Sequence, residues 1–90
     1  MFHIVIECKG IPTSAGSQAA VDITEEFTHR PWHHNATCTW DGRILRLEAD
    51  NDYDEKGLAF LDEFSDAICA CITDDGGSDL RVVAVTQDSN

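Results

Sequence analysis

Ninety residues with a 42% apolar fraction are enough for one domain around a single core, and the amphipathic segments below set the chain apart from disordered polymers. Seventeen Asp and Glu stand against six Lys and Arg, a formal net charge of −11. Such a surface repels phosphate groups, which argues against DNA, RNA and anionic membranes as partners, and its first consequence is solubility.

The chain opens on Phe2-His3-Ile4-Val5-Ile6 with no basic stretch, long apolar run or cleavage site before it, so the expectation is no signal peptide and a cytoplasmic location. His3 to Cys8 is predicted as a first strand, with Phe2, Ile4, Ile6 and Cys8 on one face and His3, Val5 and Glu7 on the other. Gly10 to Gly16 reads as a loop, its Ser and Thr suited to capping a helix. From about Ser17 to His29, Ala20, Ile23 and Phe27 recur at helical spacing, and Arg30-Pro31 ends that helix.

A hairpin follows, about Asn35 to Ala49. Asp41-Gly42 has the composition of a two-residue type I′ turn, which would pair Trp40 with Arg43, Cys38 with Leu45 and Ala36 with Leu47. Extended, the same register sets His33 opposite Asp50. Asp50 to Glu55 is polar and turn-like, and a second helix is predicted over Asp54 to Ile72 with Leu58, Leu61, Phe64, Ile68, Cys71 and Ile72 on its apolar stripe. Asp54 and Glu55 would sit in its first turn, where carboxylates suit the helix dipole. Asp74 to Ser78 is a loop, and Leu80 to Thr86 a last strand that buries either Leu80, Val82 and Ala84 or Val83 and Val85; the first choice turns Arg81 and Gln87 outward and is preferred.

The order βαββαβ with right-handed crossovers gives an α+β, ferredoxin-like domain spanning 1–90: a four-stranded antiparallel sheet in the order 4-1-3-2 with two helices on one face. The other sheet face is left open. Val5, Ile44, Val83 and Val85 would make that face half-apolar, so the leading expectation is a non-catalytic domain that acts by self-association as a homodimer, or by binding another protein, through it.

The alternative expectation is a divalent-metal or small-ligand site. His29, His33 and His34, with Asp50, fall at one end of the sheet beside the start of the first strand with His3, and imidazole and carboxylate are transition-metal ligands. Their spacing matches no established metal motif, and a helix C-terminus followed by a turn explains the histidines equally well. Asp50-x-Asp52-x-Asp54 opens like a calcium loop but has Glu55 where Gly is needed and Leu61 where a bidentate Glu is needed. Cys69 and Cys71, two apart on a helix, point to different sides, and no basic residue nearby activates them. Cys8, Cys38, Cys69 and Cys71 are expected as thiols packed like small hydrophobes, since nothing indicates an oxidising compartment. Trp32 and Trp40 are read as packing residues, with Trp32 partly exposed in its histidine-rich loop. No nucleophile elbow, triad order, dinucleotide fingerprint or phosphate loop is present, so no catalytic residue and no cofactor is assigned from the sequence.

Overall fold

Alternation decides the sheet. Phe2–Lys9 forms β1, and Leu45–Asn51 forms β3 with burial alternating strictly along it. Between and around them come α1 (Thr13–Thr28), β2 (His34–Trp40), α2 (Leu58–Cys71) and β4 (Asp79–Gln87). The computed structural model describes residues 1–71 and 79–87, and shows the βαββαβ order with a single antiparallel sheet, β2-β3-β1-β4. This is the ferredoxin-like α+β arrangement expected from the sequence.

Ile4, Ile6 and Cys8 of β1 and Leu45, Leu47 and Ala49 of β3 form the inner face, against which both helices pack. Ala19, Ala20, Ile23 and Phe27 come from α1, and Phe60, Phe64, Ala67 and Ile68 from α2. Three phenylalanines, Phe27, Phe60 and Phe64, are fully buried, each contributing roughly 1.5–3 kcal/mol of transfer free energy. Phe27 and Phe60 meet edge-to-face at 5.4 Å and fix how the helices sit side by side.

Four local expectations are corrected. The first concerns the hairpin. Trp40 pairs with Leu45 and Cys38 with Leu47, so the connection is the four residues Asp41–Ile44 and not a two-residue turn. Asp41 is the cause: its Oδ1 accepts the N–H of Arg43 at 2.8 Å and of Ile44 at 2.7 Å, closing a side-chain turn, and only Gly42 in the loop takes a positive φ. From Thr37 to Trp40 the register moves by two residues, so these side chains keep their expected faces; an irregularity between His34 and Thr37 changes the phase ahead of them.

The second concerns β4. Val5 pairs with Ala84 but Ile6 with Val82, leaving Val83 as an extra residue in a bulge. The bulge reverses the phase along the strand. Leu80 and Val82 point to the core as preferred, but so does Val85, while Ala84 lies on the open face opposite Val5.

Third, α1 begins at Thr13, not about Ser17, and no side chain caps it. Gly16 lies inside the helix, where its missing side chain makes room for the Trp40 ring. Fourth, the core stripe of α2 runs through Phe60 and not Leu58, which is 58% exposed. Gly57, at φ +74°, turns the chain into α2 one residue before Leu58, and Asp54 reaches forward to accept the N–H groups of Ala59 and Phe60. The side chain of Cys71, Ile72 and the 74–78 loop fall outside the described residues.

Candidate functional site

The open face reads as rows of side chains across the strands. Asp50 of β3, His3 of β1 and Thr86 of β4 stand in one row, with Asn35 beside them at the start of β2. Thr37, Glu48, Val5 and Ala84 form the next, and Thr39, Arg46, Glu7 and Arg81 the third. One step further, Lys9 pairs with Asp79.

His3 organises the first row. Its Nδ1 lies 2.7 Å from Asp50 Oδ1 and its Nε2 lies 3.1 Å from Glu48 Oε2. Ionised carboxylates only accept, so the ring that satisfies both carries a proton on each nitrogen. The Asp50 hydrogen bond holds the imidazole above its ordinary value; partial burial opposes this, and Glu48 adds to it. Burial alone would raise the Asp50 carboxyl, but the hydrogen bonds from His3 and Asn35 hold it below the usual carboxylate range. Asn35 Nδ2 donates to Asp50 Oδ2 at 3.3 Å, and Asn35 reaches it by taking φ +57° at the irregularity that opens β2. A shallow cleft of about 350 Å³ borders this row, lined by Met1, His3, Asp50, Thr86 and Gln87.

On the opposite face of the same sheet end lies a second network. His33 is buried among the rings of Phe27, Phe60 and Tyr53, and its Nε2 is 2.6 Å from Glu63 Oε2. The other Glu63 oxygen accepts Arg30 Nη1 at 2.7 Å and Trp32 Nε1 at 3.3 Å. Partial burial works to raise the Glu63 carboxyl, but the His33 and Arg30 hydrogen bonds hold it below its ordinary value. Asn51 completes the network: its Oδ1 accepts the N–H groups of Tyr53 and Asp54, so its amide Nδ2 is the group that donates to His33 Nδ1.

The sheet therefore divides the residues that the sequence grouped as metal ligands. His34, not His33, pairs with Asp50. His33 points into the core beside Glu63, while His29 closes the C-terminus of α1, its backbone N–H donating to the Glu26 carbonyl as that of Arg30 donates to Phe27. Among the described residues, no three His, Cys, Asp or Glu side chains gather closely enough to hold a metal ion. The four apolar residues expected on the open face are also divided: Val5 sits at its centre, Ile44 in the hairpin loop and Val83 in the bulge, while Val85 packs on the core side. The face is polar, not half-apolar.

Glu48 and Glu63 were absent from the sequence-derived sites, and His3 stood only beside the histidine and acidic segments at that sheet end. His3 and Glu48 were legible as open-face residues, but their contact depends on the β1–β3 register, for which the sequence has no turn to anchor it. Glu63 lies between Phe60 and Ala67 at helical spacing, the border of a buried stripe, and that position was the available signal.

This is the geometry of a small α+β domain with one sheet face uncovered and charge-paired. No family model, curated protein or solved structure matches the chain. Among the described residues no helix is long and apolar enough to cross a membrane.

Proposed function

We propose that this protein is a non-catalytic association module that pairs with a second copy of itself through the open face of the sheet. One observation carries the reading: the face is electrically balanced on a strongly acidic chain. Asp50, Glu48, Glu7 and Asp79 are matched there by Arg46, Arg81, Lys9 and the doubly hydrogen-bonded His3, while the whole chain carries −11 with its histidines counted as neutral. Two copies approaching by any typical part of the surface repel each other; approaching by this face they do not.

The composition of the face also sets the kind of association. Permanent homodimer interfaces have apolar centres, whereas here only Val5 and Ala84 are apolar among the three central rows. Arg46 and Glu7 already pair loosely within one chain, at 3.6 Å, and can exchange partners without leaving a charge unmatched. The association is thus reversible and weakened by salt.

Sedimentation velocity over a range of protein and salt concentrations tests this. A dimer that forms with concentration and dissociates as salt rises is the expected result. A strict monomer at low salt and high protein concentration overturns it.

A further inference from the structure

From the row pattern we infer how the second copy docks: face to face, with the two-fold axis running across the strands along the Thr37–Glu48–Val5–Ala84 row. This rests on the self-association proposed above and adds the identity of the contacts. Packing two faces by two-fold symmetry requires an axis lying in the plane between them, and a sheet offers two natural directions, across the strands or along them.

The across-strand axis exchanges the rows on either side of Val5. Asp50 of one copy then lies over Arg46 of the other, and His3 over Glu7, each contact occurring twice. Thr86 lies over Arg81, and the central row meets itself, so Val5 lies on Val5 and Ala84 on Ala84. Opposite charges coincide, and the exposed Ala84 meets its own kind beside Val5, which is already buried in the single chain. The one like-charged meeting is Glu48 with Glu48. Each of these carboxylates holds His3 Nε2, which draws it toward the first row and to opposite sides of the axis.

The along-strand axis instead exchanges β1 with β3. It also opposes Asp50 with His3 and Arg46 with Glu7, but it presses Glu48 onto Val5 twice and leaves Arg81 over Thr39. A carboxylate on an apolar neighbour is desolvated with nothing in return. The central row decides for the first axis.

A charge exchange separates the two. Arg46→Asp gives a chain with acids at both contact positions, and Asp50→Arg a chain with cations at both. Under the across-strand axis each variant alone repels its own copy and dimerises more than about tenfold more weakly than the parent chain, while a mixture of the two restores a heterodimer. Under the along-strand axis the mixture retains two repulsive contacts and gives no recovery. Circular dichroism of each variant checks folding. Should either variant not fold, isotope-filtered NMR on a mixed labelled and unlabelled parent dimer replaces it. Contacts from Val5 methyls to Val5 methyls of the other copy support the axis, and contacts from Val5 to Glu48 overturn it. A parent chain that stays monomeric overturns the self-association itself; a parent dimer without recovery in the mixture overturns only the axis.

Discussion

His33 Nε2 lies 2.6 Å from a Glu63 carboxylate oxygen, joining the chain just ahead of β2 to the middle of α2 across the end of the core. The same carboxylate accepts Arg30 and Trp32, so a single side chain satisfies donors from three residues of the α1–β2 connection. Glu63→Ala leaves those donors unpaired, one of them on the buried His33 ring, and is expected to lower stability by about 2–3 kcal/mol. Glu63→Gln keeps one acceptor and should cost less. Urea unfolding of both variants measures the difference, and a loss in Glu63→Ala below about 0.5 kcal/mol, the range of ordinary surface substitutions, contradicts the role.

The same contact carries a pH dependence. The folded-state pKa of Glu63 lies below its ordinary value of 4.5, so its contribution is fully present above 4.5 and is lost as pH falls through the lower, folded value. Across that acid window Glu63→Gln should lose less stability than the parent chain. Denaturation midpoints collected from pH 7 down to pH 3 show this as converging curves; parallel curves count against it.

Gly16 and Trp40 mark a close approach of helix to sheet. A Cβ built on Gly16 would stand 2.1 Å from the indole ring. Gly16→Ala is therefore expected to destabilise by about 1–3 kcal/mol through overpacking, although alanine is the better helix former. Replacing Trp40 by Leu removes the obstacle, so alanine at position 16 should cost far less in a Trp40→Leu background. Equal costs in the two backgrounds would mean that the ring does not set the constraint.

These contacts show where the sequence was legible. Period-two alternation in β1 and β3 and the helical stripe through Ala20, Ile23 and Phe27 are properties of single segments, and they determined the order of elements, the strand order and the faces. The hairpin register escaped because Asp41 acts through its side chain, which Asp-Gly composition does not distinguish from a backbone turn. The β4 phase escaped because Val82-Val83-Ala84-Val85 has no polar residue to mark which position bulges. The site depended on both. Placing His33 opposite Asp50 followed from the two-residue turn, whereas the longer loop moves the register by two and the irregularity between His34 and Thr37 takes one back, which puts His34 there and turns His33 to Glu63. A face is decided by parity and survives a slip of two; a cluster is decided by register and does not.

His3 should titrate above its ordinary value of 6.5, since Asp50 and Glu48 both accept from its charged form. A raised folded-state pKa stabilises the fold fully below 6.5, and that contribution disappears as pH rises through the folded value. The ring is substantially exposed, so solvent screening keeps the effect on overall stability small and the titration is the sharper measurement. NMR of the His3 ring protons gives the midpoint directly. Asp50→Asn should move it down, because the first of its two carboxylates is gone; a midpoint at or below 6.5 in the parent chain is incompatible with the paired geometry.

Asp54 is the start signal of α2 in chemical terms. Its Oδ2 accepts the Phe60 N–H at 2.9 Å and its Oδ1 the Ala59 N–H at 3.3 Å, while its own N–H donates to Asn51 Oδ1 at 3.0 Å. Two N–H groups at the helix start are thereby satisfied where the side chain is buried and water cannot substitute. Asp54→Ala should destabilise by about 1–2 kcal/mol, and Asp54→Asn, which retains one acceptor oxygen, by less. Amide exchange locates the effect: Ala59 and Phe60 should lose protection in Asp54→Ala beyond the global change, because their hydrogen bonds are the ones removed. The Gly57 turn sets the same point from the other side. Its positive φ and the 3.0 Å approach of Ile4 to a Cβ placed there strain any other residue, so Gly57→Ala should add its own penalty to that of Asp54→Ala. If the amides of Ala59 and Phe60 keep their protection in Asp54→Ala, the helix start is held by Gly57 and the core contacts of Phe60 alone.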